Sequence, residues 1–322
     1  MSLYLSTKPF YFQLLRPLKT SQGILESKSG FLIQIQDDNA HIGWGEVAPI
    51  EKSELKICES ILKEIGNSPT RNQLEKDIGS WPGTLGFGIG AALAELDCLI
   101  GSQSTQEWLP SPKSAILLPT DKSPIETLMP ILKSNKNQQQ KLTFKWKVGN
   151  YSNEIEKKLI HDILVILPNE CRLRLDVNGG WQRAQAMDWV NNLYLEPKIE
   201  WIEQPLPAND IAGLQELSKK MPIALDESLL STPSLRGTWD SWQIRRPTLE
   251  GDPRLLLKTM HKDSRYIAIS TSFETGIGLR WVNHFAGLQA KGATPTAPGM
   301  APGWCPVDNL FSANPKLVWK AA

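Results

Sequence analysis

Residues 172–203 read RLRLDVNGGWQRAQAMDWVNNLYLEPKIEWIE, and their periodicity changes twice. Arg172–Val177 alternates charged and apolar residues as a strand does, Ala184–Leu195 spaces its apolar residues as a helix does, and Ile199–Glu203 alternates again. Strand, helix and strand in such close succession make a parallel βα unit. The same rhythm spreads outward in both directions. Ala115–Leu118, Leu142–Val148, Ile223–Asp226, Trp242–Arg246 and Tyr266–Thr271 are further β-type runs, and Asn153–Leu167 is a further helical one. Seven runs of this kind predict an α/β fold, a closed TIM-type (β/α) barrel rather than an open sheet.

The first hundred residues differ. Tyr4–Leu15, Phe31–Gln36 and His41–Val47 read as strands, with a break at Gln22-Gly23, and Ser53–Ile65 and Gly88–Ile100 read as helices. This predicts an α+β domain over 1–105, with the barrel over 106–300. Gly83–Gly90 lacks the GxGxxG spacing of a nucleotide fingerprint and is expected to be a tight entry into the second helix. Gly43-Trp44-Gly45 reads as a strand lying close against another backbone. Asn135–Gln140 is expected to be a polar loop. The Pro/Gly-rich stretch Ala293–Pro306 is expected to hold the last barrel strand and a return toward the first domain, which 300–322 would complete.

Composition narrows the partners. The 322 residues carry 35 Lys+Arg against 34 Asp+Glu, so no excess of positive charge marks a nucleic-acid or membrane-surface protein. Four scattered cysteines without a CxxC pair argue against a disulfide framework or a cysteine zinc site, and no apolar run is long enough to span a bilayer. Met1–Lys19 has no apolar core of the kind a secretion signal needs. A cytoplasmic enzyme acting on a small molecule is expected, whether monomer or homo-oligomer.

Chemistry concentrates at the C-terminal ends of the runs. Asp176, Glu203 and Asp226 each close one, and in a parallel barrel those ends share the rim where active sites are built. Singly, each could cap the helix that follows. Together they would repel one another unless a cation stood between them, and an all-oxygen donor set favours Mg²⁺, with Mn²⁺ as the alternative. One run earlier, Lys145 and Lys147 alternate onto one face while Phe144, Trp146 and Val148 form the other. Two adjacent ammonium groups beside a cation are expected to have lowered pKa values, which suits Lys147 to act as a base. Arg174 shares a face with Asp176 and Asn178, where it would bind a substrate carboxylate or neutralise the acids. Arg246 brings a guanidinium to the opposite rim. Ser270 and Ser272 would touch substrate or cap the following turn. The four histidines fall at no strand end.

The ordered set Lys145-x-Lys147, Asp176-x-Asn178, Glu203 in Trp-Ile-Glu-Gln-Pro and Asp226-Glu227-Ser228 resembles the enolase superfamily, in its muconate-lactonising branch. The resemblance implies a modified (β/α)7β barrel behind an N-terminal capping domain. It also implies Mg²⁺ held by Asp176, Glu203 and Asp226, with Asn178 and Glu227 supporting them, and Lys147 as acid/base beside Lys145. A small-molecule carboxylate is the implied substrate, with Leu18–Leu25 and Ala48–Lys52 closing over it. Arg174-Leu-Asp-Val-Asn178, Arg246–Pro253 and Ser270–Glu274 resemble the dehydrating members of the branch, which serve quinone synthesis. Relatives usually carry lysine where Arg246 stands. Arginine gives up its proton too reluctantly to be the second acid/base of a racemase, whereas a dehydration needs only a cation there. Racemase or epimerase activity, or a barrel that only binds, are the competing expectations.

Overall fold

The computed structural model describes residues 3–20, 23–101, 107–120, 123–135, 141–262 and 265–322. They form two compact units, one of residues 1–112 with 245–322 and one of residues 113–244. Gln22 of the expected break, residues 21–22 of the expected closing loop and residues 136–140 of the expected polar loop lie outside the described residues.

In the first unit, β1 (Tyr4–Thr20), β2 (Gly23–Gln36) and β3 (Ile42–Val47) form an antiparallel sheet. Phe10, Phe12 and Leu14 alternate inward along β1 while Tyr11 faces out. Helices α1 (Lys52–Ile65), α2 (Arg71–Asp77) and α3 (Gly83–Leu96) follow. Leu5, Ile33, Ile35 and Val47 of the sheet pack with Cys58, Leu62, Leu74, Leu85, Ile89 and Leu93 of the helices. The strand over 42–47 does lie against another backbone. A Cβ on Gly43 would meet Ala92 O at 1.9 Å, and one on Gly45 would meet Gly88 O at 1.8 Å. Helix α3 therefore begins at Gly83, five residues before the expected start. Its glycines are packing surface rather than an entry turn, and that surface is buried enough to offset their poor helix propensity.

Lys28 and Glu46 are among the buried charges of this unit. Lys28 donates to Ala48 O at 2.6 Å and Pro49 O at 3.1 Å, and burial lowers its pKa to about 8. Glu46 accepts from Thr275 N–H and O–H and from Gly278 N–H. Burial pushes Glu46 up to about 7 despite those donors. A raised carboxyl pKa means that the folded chain holds this proton more tightly than the unfolded chain. The stability it confers is complete below the ordinary value of 4.5 and is lost as pH rises through about 7. Between pH 5 and 8 the parent is expected to lose about 2.5 kcal/mol more stability than Glu46→Gln, at roughly 1.4 kcal/mol per pKa unit. Denaturant titrations at the two pH values check this, and parallel pH profiles for parent and variant would refute it.

The second unit is the βα series. Strands and helices alternate as β4 (Ile116–Leu118), α4 (Pro124–Asn135), β5 (Thr143–Lys147), α5 (Asn153–Ile166), β6 (Arg172–Asp176), α6 (Arg183–Leu193), β7 (Ile199–Glu203), α7 (Ile211–Ser218) and β8 (Ile223–Ala224). Short helices α8 (Glu227–Ser231) and α9 (Leu235–Thr238) follow. The five strands are parallel neighbours in chain order, and Leu225 extends the ladder by a bridge to Gln243. Phe144, Trp146, Leu173, Leu175, Ile202 and Ile223 leave the sheet on the side where Ile160, Ile163, Trp189, Val190 and Leu214 of the helices meet them. The other side is left to Lys145, Lys147, Arg174, Asp176 and Glu203. This is the α/β architecture of a TIM-type barrel.

The chain re-enters the first unit through β9 (Gln243–Arg245), then adds α10 (Pro253–Lys262), β10 (Ile267–Ile269), α11 (Gly276–Ala290) and α12 (Pro315–Ala321). Strand β9 pairs with β10. The strand expected within Ala293–Pro306 reduces to one parallel bridge, Ser270 to Gly299, because the surrounding prolines withhold N–H donors. No helix among the described residues is long and apolar enough to cross a membrane.

Candidate active site

Register sets the site. In the parallel ladder Lys145 lies opposite Arg174, Lys147 opposite Asp176, and Asp176 opposite Glu203. Each of these residues is at or near the C-terminal end of its strand, so side chains distant in sequence become neighbours. Lys145 Nζ stands 2.6 Å from Glu203 Oε1 and 2.9 Å from Asp176 Oδ2. Lys147 Nζ donates to Asn178 Oδ1 at 3.1 Å and lies 4.0 Å from Asp176 Oδ2. Asn178 in turn donates from Nδ2 to Glu227 Oε1 at 3.2 Å. The lysines are about one-fifth exposed, whereas Asp176, Glu203 and Asp226 are buried.

The electrostatics follow from unequal neighbours. Burial opposes the charge on Lys145, yet Asp176 and Glu203 outweigh it and hold the ammonium above its ordinary pKa. Two carboxylates in contact outweigh burial and the ammonium next to it; the lowered value was expected for a lysine beside a bound cation. Burial also acts on Glu203, which is pushed up to about 7 because Asp176 and Asp226 oppose what Lys145 contributes. Asp176 has two ammonium groups nearby, so it stays below the usual carboxylate range in spite of burial. Glu227 is raised by burial and then by Asp226 and Asp176.

Asp176, Glu203 and Asp226 are a donor set of carboxylates alone, and that chemistry fits a hard divalent cation such as Mg²⁺. Among the described residues, no three acidic, histidine or cysteine side chains already converge in metal-ligating geometry. The Lys145 ammonium sits between Asp176 and Glu203.

Arg174, expected to bind substrate or to neutralise the acids, is engaged within the unit. It is buried, its Nε donates to Glu200 Oε2 at 2.7 Å, and its guanidinium lies 4.0 Å over the Trp201 ring. A slip in the β6–β7 register explains the partner. Leu173 faces Ile199 and Arg174 faces Trp201, so Glu200 is the extra residue of a bulge and turns toward the arginine. Simple alternation along Ile199–Glu203 could not reveal it.

Gln204 also carried no role in the sequence reading. It is fully buried at a backbone φ of 39°, and its side chain accepts the N–H groups of Asp226 and Ser228 at 3.1 Å each. The remaining sequence candidates, Arg246, Ser270 and Ser272, lie in the other unit. Arg246 donates from Nη1 to Thr271 O at 2.8 Å, and Ser270 Oγ donates to Gly299 O at 3.3 Å. Ser272 is buried and gives its N–H to Glu274 Oε1 at 2.7 Å.

The parallel βα series that carries these residues is similar to known proteins. Residues 134–238, which include every charged group just described in the second unit, match the enolase C-terminal domain-like family. The chain is an enzyme, and over these residues it is similar to the enolase superfamily. More particularly, it is 29% identical to the o-succinylbenzoate synthase of Thermosynechococcus vestitus, over 83% of this chain and 84% of that protein. The crystal structure of o-succinylbenzoate synthase from Thermosynechococcus elongatus, complexed with Mg in the active site, superposes with a TM-score of 0.81. It is 25% identical and covers 99% of this chain and 100% of that one. An L-Ala-D/L-Glu epimerase of Clostridium acetobutylicum is 26% identical over 67% of this chain and 65% of its own length.

Proposed function

We propose that the chain is an o-succinylbenzoate synthase, a hydro-lyase that converts 2-succinyl-6-hydroxy-2,4-cyclohexadiene-1-carboxylate to 2-succinylbenzoate by syn dehydration. The product would feed menaquinone or phylloquinone synthesis in the cytoplasm. The observation that carries the reading is the lysine pair: Lys145 lies against Asp176 and Glu203, and Lys147 one step out is held by Asn178 Oδ1 at 3.1 Å. The relatives named o-succinylbenzoate synthase support it over most of the chain.

Asp176, Glu203 and Asp226 would hold Mg²⁺, which when bound offsets the negative charge that grows on the substrate carboxylate. Lys147, in its neutral form, takes the α-proton. Lys145 keeps its ammonium charged beside the acids and presents it to the developing enediolate. Lys147 then passes the proton to the departing hydroxyl, so a single group serves both halves of a syn elimination. The ring becomes aromatic as water leaves, and that drives the last step.

Epimerisation is the second reading, favoured by the relative with that activity. It needs an acid/base on each face of the carbon, and the residue before the proline after β9 is Arg246, whose proton is held too tightly. An absorbance assay for 2-succinylbenzoate, with Mg²⁺ and then with EDTA, tests the proposal. Metal-dependent product supports it. No product, with α-proton exchange and inversion of a dipeptide in deuterated water, would establish the epimerase instead.

A further inference from the structure

Gln204 lies where three acidic strand ends meet. Its backbone N–H donates to Ala224 O at 2.8 Å on the β8 side, and its carbonyl accepts Gly179 N–H at 2.7 Å beyond β6. The side-chain oxygen takes the N–H groups of Asp226 and Ser228 at 3.1 Å each. The side-chain amide donates to Ser228 Oγ at 2.8 Å and Leu206 O at 3.0 Å. Ser228 Oγ passes the chain on to Ala208 O at 2.9 Å. The two main-chain groups and the side-chain amide are thus all engaged inside the protein, with no exposed surface.

Such an arrangement is costly. A left-handed φ of 39° strains a residue that has a Cβ, and an amide in an apolar interior must find all its partners. A leucine or methionine of the same size would avoid the second cost, and a glycine the first. The bonds go to the segments that carry Asp176, Glu203 and Asp226: Glu203 is the preceding residue, Asp226 N–H is held directly, and Gly179 follows Asn178.

We infer that Gln204 is a positioning residue that sets the spacing of the three carboxylates, and with it the affinity of the site for a divalent cation. The inference rests on the function proposed above, under which those carboxylates hold Mg²⁺. It assigns Gln204 no contact with substrate or ion.

Calorimetric titration with Mg²⁺ alone tests this on the full chain. Gln204→Met keeps the length and removes every side-chain hydrogen bond. Gln204→Gly removes the bonds and relieves the backbone, so it gives a reading where the methionine variant does not fold. Both are expected to bind Mg²⁺ at least about tenfold more weakly than the parent, the usual cost of removing a partner behind the ligands. Far-UV circular dichroism should be unchanged. The concentration of Mg²⁺ needed for half-maximal rate should rise in step, with kcat at saturating Mg²⁺ within about threefold of the parent. A merely structural residue would lower the melting temperature and leave the ion's affinity alone. Folded variants that bind Mg²⁺ within twofold of the parent would overturn the inference while leaving the function standing. A parent that binds no Mg²⁺ would overturn the metal-dependent function and the inference with it.

Discussion

Lys147→Ala is expected to lower the rate of 2-succinylbenzoate formation by about a thousandfold or more, near the upper part of the range for loss of a general acid/base. Under the proposed mechanism the deletion counts twice, because one amine both removes the α-proton and protonates the leaving hydroxyl. Binding of Mg²⁺ should survive. Lys147 Nζ is 4.0 Å from Asp176 Oδ2 and makes its short contact with Asn178 instead. The contrast with Lys145 is informative, since that ammonium touches Asp176 and Glu203 at 2.9 and 2.6 Å. Lys145→Ala should disturb ion binding and catalysis together, because it removes the positive charge between two buried acids. A continuous absorbance assay and Mg²⁺ calorimetry on both variants separate the two roles. Dehydration by Lys147→Ala within tenfold of the parent would remove Lys147 as the acid/base.

The charged end of the parallel strands was legible because its residues are written as interruptions of apolar runs. Asp176, Glu203 and Asp226 each stop a β-type run, and Lys145 and Lys147 alternate with Phe144, Trp146 and Val148. Period-two geometry then places them without further information, and the observed register has Lys147, Asp176 and Glu203 side by side. What stayed hidden depends on backbone features that residue type does not encode. The bulge at Glu200 reverses one side chain and gives Arg174 a partner inside the unit. The left-handed turn at Gln204 makes a hub of a residue that sequence alone would place on a loop. Helix α3 begins in a run of glycines that propensity would exclude, because a Cβ on Gly83 would meet Leu249 O at 2.1 Å, one on Gly88 would meet Val47 Cγ2 at 2.7 Å and one on Gly90 would meet Asp252 Oδ1 at 2.5 Å. Alternation likewise shows which charges share a face but not which pairs come into contact, as Lys145 does with Asp176 and Glu203.

Chelation is expected to be the other large effect. Dialysis against EDTA should reduce turnover at least about a thousandfold, and Mg²⁺ or Mn²⁺ should restore it. The charge balance of the second unit is the reason. Lys145 and Lys147 suffice to keep Asp176 below the usual carboxylate range, yet Glu203 is still pushed up to about 7 by burial and by the acids beside it. The lysines therefore do not compensate the acidic set, and a small divalent cation is the species whose charge and preference for oxygen would. Ca²⁺, which seeks more ligands at longer distances, should restore little of the rate. Glu203→Gln keeps the shape but removes one anionic donor, so it should weaken Mg²⁺ binding by tenfold or more while Lys147 and Asn178 remain in place. Elemental analysis of the dialysed protein together with the product assay decides the matter. Undiminished turnover by protein shown to be free of metal would mean that lysine charges alone carry the reaction, and the acids would then need another explanation.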